Sequence, residues 1–207
     1  MRCCYLVGAA PKAWRIDPRP GDFVIAADGG CDHLRRWGVT PDLIVGDMDS
    51  ITGALPQGVP CVKVPAEKDD TDLVLAFEEG HRRGHRRFVL TGASSSERMD
   101  HTMANLQLLV RAARRGAFAV MRDASYSAAA IAGPGELHLR GSGTVSVFAY
   151  GEQAAGVTIE GMKYNIADET LRGDTPLGVS NELAGNGRVA VEHGVLLVYA
   201  MDGVMIL

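Results

Sequence analysis

The chain has 207 residues, of which 46% are hydrophobic and 22% charged, and its formal net charge is −4. This length suits one large domain or two small ones, and the composition is typical of a soluble globular protein with a sizeable core. The acidic balance gives no electrostatic reason to expect a nucleic-acid partner.

Four cysteines lie in the first third of the chain, without the paired spacing of a zinc site: Cys3, Cys4, Cys31 and Cys61. This pattern indicates reduced thiols rather than a disulfide framework. The apolar start of the chain is too short for a signal peptide, and no run of residues approaches membrane-spanning length. We therefore expect a cytoplasmic protein with no membrane partner.

Strand-like apolar runs alternate with helical patterns in the part of the chain before about residue 120. The runs are CCYLVGA, FVIAAD, DLIVGD, CVKV and RRFVLTG, and the helical patterns are CDHLRRWG ending at Gly38, a stretch from about Asp70, and DHTMANLQLLVRAARRG. The second helix carries Leu73, Ala76 and Phe77 on one face. The third carries a stripe of Met103, Leu106, Val110 and Ala113, and Gly116 caps it. Apolar strands interleaved with helices predict a parallel sheet covered on both faces.

After about residue 120 the helical pattern disappears. Short strand-like runs follow, separated by turns that contain glycine: SAAAIAG, GELHLR, TVSVFAY, GVTIEG, RVAVEHG and VLLVYAM. This spacing is typical of an all-β sandwich. We therefore predict an N-terminal parallel-sheet α/β domain over residues 1–122 and a C-terminal all-β sandwich domain over residues 123–207.

Aspartates stand at four of the junctions between a predicted strand and the segment that follows it. They are Asp28 before Gly29 and Gly30, Asp47 with Asp49, the group Asp69, Asp70 and Asp72, and Asp100. Ligands of an open parallel sheet bind beyond the carboxyl ends of its strands. Carboxylates without His or Cys suit Mg²⁺, which prefers hard oxygen ligands. The sequence therefore predicts a magnesium site at this edge of the sheet.

The pair Asp47 and Asp49 ends an apolar run. If the strand continued through them, alternation would place both carboxylates on one side and Met48 on the other. Two carboxylates on one side repel each other unless a cation lies between them. A divalent ion would explain the pair.

Ordinary structural roles compete with this interpretation. An Asp at a helix start is often a cap that contributes about 1 kcal/mol, which would account for Asp69, Asp70 or Asp100 taken alone. Asp28 before two glycines would serve as a turn former. Capping fits Asp47 and Asp49 less well, and coincidence at four junctions is less plausible than at one.

Other motifs are weaker. The segment GVTIEGMK lacks the lysine of a phosphate-binding P-loop, because Met162 stands in its place. His81 and His85 lie among arginines and are better explained by a solvated helix end than by a metal pair. The loop GASSSERM opens onto a helix N-terminus, which suits a phosphate site or, alternatively, a mobile polar loop.

Several segments resemble motifs of the thiamine pyrophosphokinase family. They are ADGG (27–30), DLIVGDMDS (42–50), KDDTDL (68–73), RMDHTMANLQLL (98–109), GMKY (161–164) and GVSNE (178–182). The resemblance spans nearly the whole chain in order. It implies a two-domain homodimer, with its active site at the subunit interface, that transfers the terminal diphosphate of ATP to thiamine and releases AMP.

The resemblance assigns catalytic metal and phosphate chemistry to Asp47, Asp49, Asp72 and Asp100, with Mg²⁺ on the first three. We expect ATP, the co-substrate, to contact Asp28, Gly29, Gly30, Lys68, Arg98 and His101, although a structural role for His101 is as plausible. We expect thiamine to contact Asn105, Tyr164, Ser180 and Asn181. Two departures are noted: Ser96 and Glu97 replace the two glycines usual in relatives, and Tyr164 replaces a tryptophan found in some.

Three questions stay open at this point. Either Asp72 or Asp100 would accept the proton of the attacking hydroxyl. A related pyrophosphokinase acting on another alcohol, such as a hydroxymethylpterin, would share the acidic domain, although the SNE segment (180–182) argues against it. A non-catalytic nucleotide or metal sensor would not need so complete a set of carboxylates.

Overall fold

The computed structural model describes residues 2–65, 70–201 and 203–207. The chain divides into a first unit, which runs to residue 108 and includes 121–124, and a second unit of residues 109–120 and 125–207. This division places residues 109–120 in the second unit and residues 123–124 in the first, whereas the predicted boundary lies after residue 122. One helix and one strand each cross the division.

Five parallel strands lie in the first unit: β1 (Cys4–Val7), β2 (Phe23–Ala27), β3 (Leu43–Gly46), β4 (Cys61–Lys63) and β5 (Arg87–Thr91). Their hydrogen-bonded order is β5-β1-β2-β3-β4. Nearly every residue of β1, β2 and β3 is buried, as expected for strands covered on both faces. The parallel sheet predicted from the sequence is confirmed.

Three helices accompany these strands within the described residues: α1 (Gly30–Trp37), α2 (Asp72–Arg82) and α3 (Met99–Arg114). Helix α1 ends at Gly38, which has φ 72° and donates to the last carbonyls of the helix. Leu73, Ala76 and Phe77 of α2 are buried as predicted.

The apolar stripe predicted for α3 is wrong in part. Met103 is 52% exposed, whereas two polar residues of the helix, Thr102 and Asn105, are buried. Both polar side chains form hydrogen bonds with the loop that precedes the helix. These bonds turn the polar residues inward, so the first turns of α3 present Met103 to solvent.

Strand β6 (Phe118–Arg122) crosses the division between the units, and antiparallel strands follow it: β7 (Tyr126–Ala132), β8 (Gly135–Ala149), β9 (Gln153–Met162), β10 (Ile166–Arg172), β11 (Asn181–Val191), β12 (Val195–Met201) and β13 (Val204–Ile206). The order from β10 to β7 is β10-β9-β11-β8-β12-β7, and β13 pairs with β8. A parallel α/β part followed by antiparallel strands is therefore confirmed.

The runs GELHLR and TVSVFAY form the single strand β8 and not two strands with a turn between them. Gly141 and Gly143 lie in its interior with φ angles of 128° and 155°. A Cβ atom on Gly141 would lie 2.0 Å from the carbonyl oxygen of Gly203. Glycine therefore serves here for the close approach of another backbone segment.

All four cysteines are free thiols. Among the residues that the structure describes, no helix has the length and apolar character needed to cross a membrane.

Candidate active site

A cavity of about 610 Å³ lies in the first unit, at the carboxyl ends of its parallel strands. This volume is within the usual range for ligand sites. Predicted site residues that line it are Asp28, Asp47, Asp49, Asp72, Arg98, His101 and Asn105. Gly29 and Gly30 cap and begin helix α1 directly after Asp28. Lys68 and Asp69, which also belonged to the predicted set, lie outside the described residues.

Three carboxylates come together in this cavity. Asp28, Asp47 and Asp49 each offer an oxygen, and these oxygens lie within 4.8 Å of one another. The three residues are respectively buried, half-buried and exposed, so the group opens from the protein interior towards solvent. Asp72 lines the same cavity.

A turn, and not an extended strand, brings Asp47 and Asp49 together. Strand β3 ends at Gly46, and Met48 has a positive φ of 71°. The backbone N–H of Asp49 donates to Oδ1 of Asp47 at 3.2 Å, while Met48 packs against the core of the first unit. The predicted proximity is correct, but the predicted alternation along a strand is not its cause.

Asp28 is held in place by its neighbours. A Cβ atom on Gly46 would lie 2.8 Å from Cβ of Asp28, so glycine permits this close approach. The hydroxyl of Ser50 donates to Oδ2 of Asp28. The other oxygen, Oδ1, is buried and has no hydrogen-bond partner in the described structure. A buried acceptor without a partner is costly, and a bound cation would remove that cost.

The charges of this group affect one another. The nearby Asp47 carboxylate is the main cause that raises the pKa of Asp49, and Asp28 and Asp72 contribute in the same direction. Accumulated negative charge, hard oxygen donors and an unpartnered buried oxygen all suit a divalent cation. The residues present therefore fit Mg²⁺.

The start of helix α2 adds two further carboxylates to the cavity lining. Thr71 is the N-cap, and its side chain accepts a hydrogen bond from the N–H of Val74 at 3.4 Å. The hypothesis that Asp70 caps this helix is therefore wrong. Both Asp70 and Asp72 line the cavity.

Arg98 and Asp100 form a two-pronged ion pair at the start of α3. Nε and Nη2 of Arg98 donate to the two carboxylate oxygens of Asp100 at 3.0 and 2.8 Å. This hydrogen bonding is the main cause that lowers the pKa of Asp100 to about 2. Nε2 of His101 lies 3.9 Å from the same carboxylate. The arginine predicted to hold phosphate is thus engaged by a predicted catalytic carboxylate.

We expect the substitution Arg98→Ala to raise the pKa of Asp100 from about 2 towards the ordinary value of about 3.9. The charged carboxylate loses its hydrogen-bond donors and its neighbouring positive charge. Titration of the Asp100 carboxyl carbon by NMR measures the change. Arg82→Ala is a matched control, because Arg82 pairs with Glu79 instead. An unchanged Asp100 pKa in Arg98→Ala would show that the pair does not persist in solution.

Tyr164, Ser180 and Asn181 lie in the second unit. Strand β9 ends at Met162, so Tyr164 lies beyond the strand. Met162 is buried, whereas Tyr164 is 60% exposed. The side chain of Asn165 accepts from the N–H of Met162 at 3.1 Å and thereby forms the turn that ends the strand.

Asn181 holds the backbone of Tyr164. Its Oδ1 accepts from the N–H of Tyr164 at 3.0 Å and its Nδ2 donates to the carbonyl of Tyr164 at 2.6 Å. The same Oδ1 accepts from the N–H of Glu182. The exposed Ser180 has a φ of 58° and donates its N–H to the hydroxyl of Ser146. The buried Asn181 therefore positions the exposed ring of Tyr164 by holding the backbone of Tyr164.

Sequence analysis missed Ser50 and Asp123. Ser50 holds Asp28 and closes the quoted segment DLIVGDMDS. Asp123 accepts a hydrogen bond from Ser94 and follows β6, which was not recognised as a strand. The run FAVMRD (118–123) places an Asp after apolar residues, as at the other junctions, and this pattern could have identified Asp123 from the sequence.

Two family models match the chain. The model "Thiamin pyrophosphokinase, catalytic domain" matches residues 19–121, and "Thiamin pyrophosphokinase, vitamin B1 binding domain" matches residues 136–196. The chain belongs to the thiamin pyrophosphokinase family. The family predicted from the sequence motifs is confirmed, and every described residue that lines the cavity from Ala27 onward lies within the catalytic-domain match.

Solved structures of this family share the fold. The thiamine pyrophosphokinase from Bacillus subtilis is 24% identical, with a TM-score of 0.85 over 97% of this chain and 99% of that one. A family protein from Enterococcus faecalis is 24% identical, with a TM-score of 0.81 over 98% and 99%. The yeast enzyme is 15% identical, with a TM-score of 0.66 over 97% and 86%.

Proposed function

We propose that this protein transfers the terminal diphosphate of ATP to the hydroxyethyl group of thiamine, giving thiamine diphosphate and AMP. One observation carries the proposal. The oxygens of Asp28, Asp47 and Asp49 lie within 4.8 Å of one another in the cavity, and all three residues lie in the range matched by the family's catalytic domain. Diphosphate transfer, like phosphoryl transfer, depends mainly on positioning and charge neutralisation, and such a carboxylate group supports both through a divalent cation.

Asp47, Asp49 and Asp28 would hold Mg²⁺, with Asp72 on the same cavity wall. When bound, the ion would neutralise charge on the phosphate oxygens of ATP. The sequence-based assignment gave the metal to Asp47, Asp49 and Asp72 and placed Asp28 with the nucleotide. The proximity of Asp28 to the first two carboxylates favours it as a third ligand.

The proton of the attacking hydroxyl needs an acceptor. Asp100 is poorly suited, because its pKa is about 2 and its oxygens already accept hydrogen bonds from Arg98. A base that holds a proton so weakly gives little driving force for its transfer. We therefore favour Asp72, which lines the cavity at the start of α2.

We further propose that Tyr164 stacks on a ring of thiamine. Tyr164 is 60% exposed, so its ring is available to a ligand. Nζ of Lys163 lies 5.4 Å from the ring centroid and is paired with Glu182 at 2.8 Å. Asn181 thus fixes the backbone of Tyr164, and the ring of Tyr164 is accessible to a ligand.

We expect Tyr164→Ala to weaken thiamine binding by about tenfold, since a stacked aromatic pair contributes roughly 0.5–1.5 kcal/mol beyond burial and 1.4 kcal/mol is a factor of ten. ATP affinity should hardly change. Tyr164→Trp should bind thiamine at least as tightly, because its face is larger. Calorimetric titration of each variant with thiamine tests this. An unchanged dissociation constant in a folded Tyr164→Ala protein would remove the residue from the site.

We also propose that the protein is a homodimer in which both subunits contribute residues to each thiamine site. Its support in the structure is an exposed apolar patch in the second unit, formed by Phe148, Leu177 and Val179, whose exposed fractions are 40%, 64% and 41%. The N–H of Val147 donates to the carbonyl of Gly178 at 2.9 Å, which fixes the segment carrying Leu177 and Val179 beside β8. Exposed apolar patches of this kind mark protein interfaces. The four free thiols suit a cytoplasmic location.

The direct test incubates the protein with ATP, Mg²⁺ and thiamine and detects thiamine diphosphate and AMP by mass spectrometry. Both products should form together. A parallel incubation with a hydroxymethylpterin in place of thiamine tests the rival pyrophosphokinase activity. Formation of the pterin diphosphate alone would support that rival, and no AMP in either incubation would support a non-catalytic sensor.

A further inference from the structure

The loop between β5 and α3, residues 92–98, forms one wall of the cavity. We call it the serine loop, because Ser94, Ser95 and Ser96 form its centre. Its residues Gly92, Ala93, Ser94, Ser95, Glu97 and Arg98 line the cavity. Small polar side chains make few packing contacts, so a loop of this composition needs contacts from other elements to keep one conformation.

Two side chains from the first turns of α3 hold the loop from one side. Nδ2 of Asn105 donates to the carbonyl of Ala93 at 2.7 Å. The hydroxyl of Thr102 accepts from the N–H of Ser95 at 2.9 Å and lies 3.0 Å from the carbonyl of Ser95, to which it can donate. Asn105 and Thr102 are 4% and 9% exposed. The backbone of Ala93 and Ser95 is therefore fixed by buried groups.

Ser94, between these two points, is held from another element. Its hydroxyl donates to Oδ2 of Asp123, which directly follows β6. Ser94 is 7% exposed and lines the cavity, whereas Asp123 is not among the lining residues. A hydroxyl bound to a carboxylate is a charge-assisted hydrogen bond, one of the stronger kinds in proteins. Asp123 thus contacts the cavity wall through Ser94 without lining the cavity itself.

We propose that Asp123 is a positioning residue for nucleotide binding. Together with Thr102 and Asn105 it holds the serine loop in the conformation that borders the phosphates of ATP. The inference rests on the proposed function. A loop that is already ordered loses little conformational freedom when its ligand binds. Loosening it therefore weakens the binding of the ligand that touches it, with little effect on a ligand held elsewhere.

The test compares Ser94→Ala, Asp123→Ala, the double variant and Asp123→Asn. Each alanine variant should raise the KM for ATP by about fivefold to tenfold, because the loss of one partner of a hydrogen bond to a charged group typically weakens an interaction by about this factor. The KM for thiamine should be unchanged, and kcat should stay within about twofold. The double variant should be no worse than either single one, because all three lack the same hydrogen bond. Asp123→Asn keeps an acceptor oxygen and should restore most of the affinity. Ser125→Ala, at an exposed serine just beyond Asp123, is the control.

Hydrogen exchange provides a readout that does not depend on the reaction. The amides of Ser95 and Glu97 should exchange faster in Asp123→Ala than in the unaltered protein or in Ser125→Ala. Unchanged exchange, additive effects of the two alanine substitutions, or equal rises in both KM values would each overturn the proposal. If the unaltered protein forms no thiamine diphosphate, the proposed function fails, and ATP binding measured by calorimetry in place of KM still decides the role of Asp123.

Discussion

Asp47→Asn and Asp49→Asn are each expected to lower turnover by at least about a hundredfold. A bound metal stabilises transition-state charge by several kcal/mol, and each 1.4 kcal/mol is a factor of ten in rate. The oxygens of both residues lie with that of Asp28 within 4.8 Å, so the loss of either carboxylate leaves an incomplete ligand set. Steady-state kinetics at saturating Mg²⁺, ATP and thiamine measures the effect.

The fold should survive both substitutions. The Asp47 carboxylate is the main cause that raises the pKa of Asp49, which shows that the two groups repel each other when no cation is bound. Removing one charge relieves that repulsion, so the metal-free melting temperature should stay the same or rise. In the unaltered protein Mg²⁺ should raise the melting temperature, because it binds only the folded state, and this rise should shrink in both variants.

Asp17→Asn is the matched control for these measurements. Asp17 is exposed in the first unit and does not line the cavity, so its neutralisation changes the net charge equally without touching the carboxylate group. Near-normal turnover of Asp47→Asn and Asp49→Asn at saturating Mg²⁺ would disprove the assignment of these residues to the metal.

Mixing two inactive variants should restore activity if the thiamine site is shared between subunits. Asp72→Asn alters the first unit, and Asn181→Ala removes the side chain that holds Tyr164 in the second. In a mixed dimer one of the two sites then receives both alterations and the other receives none. At equal amounts and free exchange, half of the dimers are mixed, so roughly a quarter of the wild-type activity should return.

Two checks make the mixing experiment decisive. Asn181 is buried and makes three hydrogen bonds, so its loss costs stability, and circular dichroism must show that Asn181→Ala is folded. Asn181→Asp, which keeps the accepting oxygen, serves as a second variant. Native mass spectrometry of differently tagged subunits confirms that they exchange. Confirmed heterodimers without activity would place the whole site within one chain.

Local patterns were enough to predict the elements of the first unit. The strands β1 to β5 and the helices α1 to α3 lie where apolar runs and helical spacing placed them, because the buried strands β1 to β3 are apolar throughout and the helices keep their own spacing of apolar residues. Gly38 also ends α1 in the left-handed conformation. The carboxylates after these strands share one cavity for the same reason: the carboxyl ends of parallel strands meet at one edge.

Other features depended on contacts between residues far apart in the sequence. Asp28 joins Asp47 and Asp49 because β2 and β3 are neighbours and Gly46 permits the close approach of their ends. Thr102 and Asn105 displaced Met103 from the buried face of α3, because they satisfy the backbone of the serine loop. Hydropathy ranks side chains by their affinity for water and does not register the hydrogen-bond partners that make a buried polar group stable.

The sequence by itself therefore determined the family, the order of strands and helices in the first unit, and the edge at which its carboxylates collect, since each follows from local periodicity or from short motifs. The tertiary structure decided which carboxylates group together, that Arg98 is engaged by Asp100, and that Asp123 supports Ser94 from outside the cavity. It also decided that Asn181 holds an exposed Tyr164. These are pairings between side chains or backbone groups set by the fold around them, and their partners are specified by distance in space and not by position along the chain.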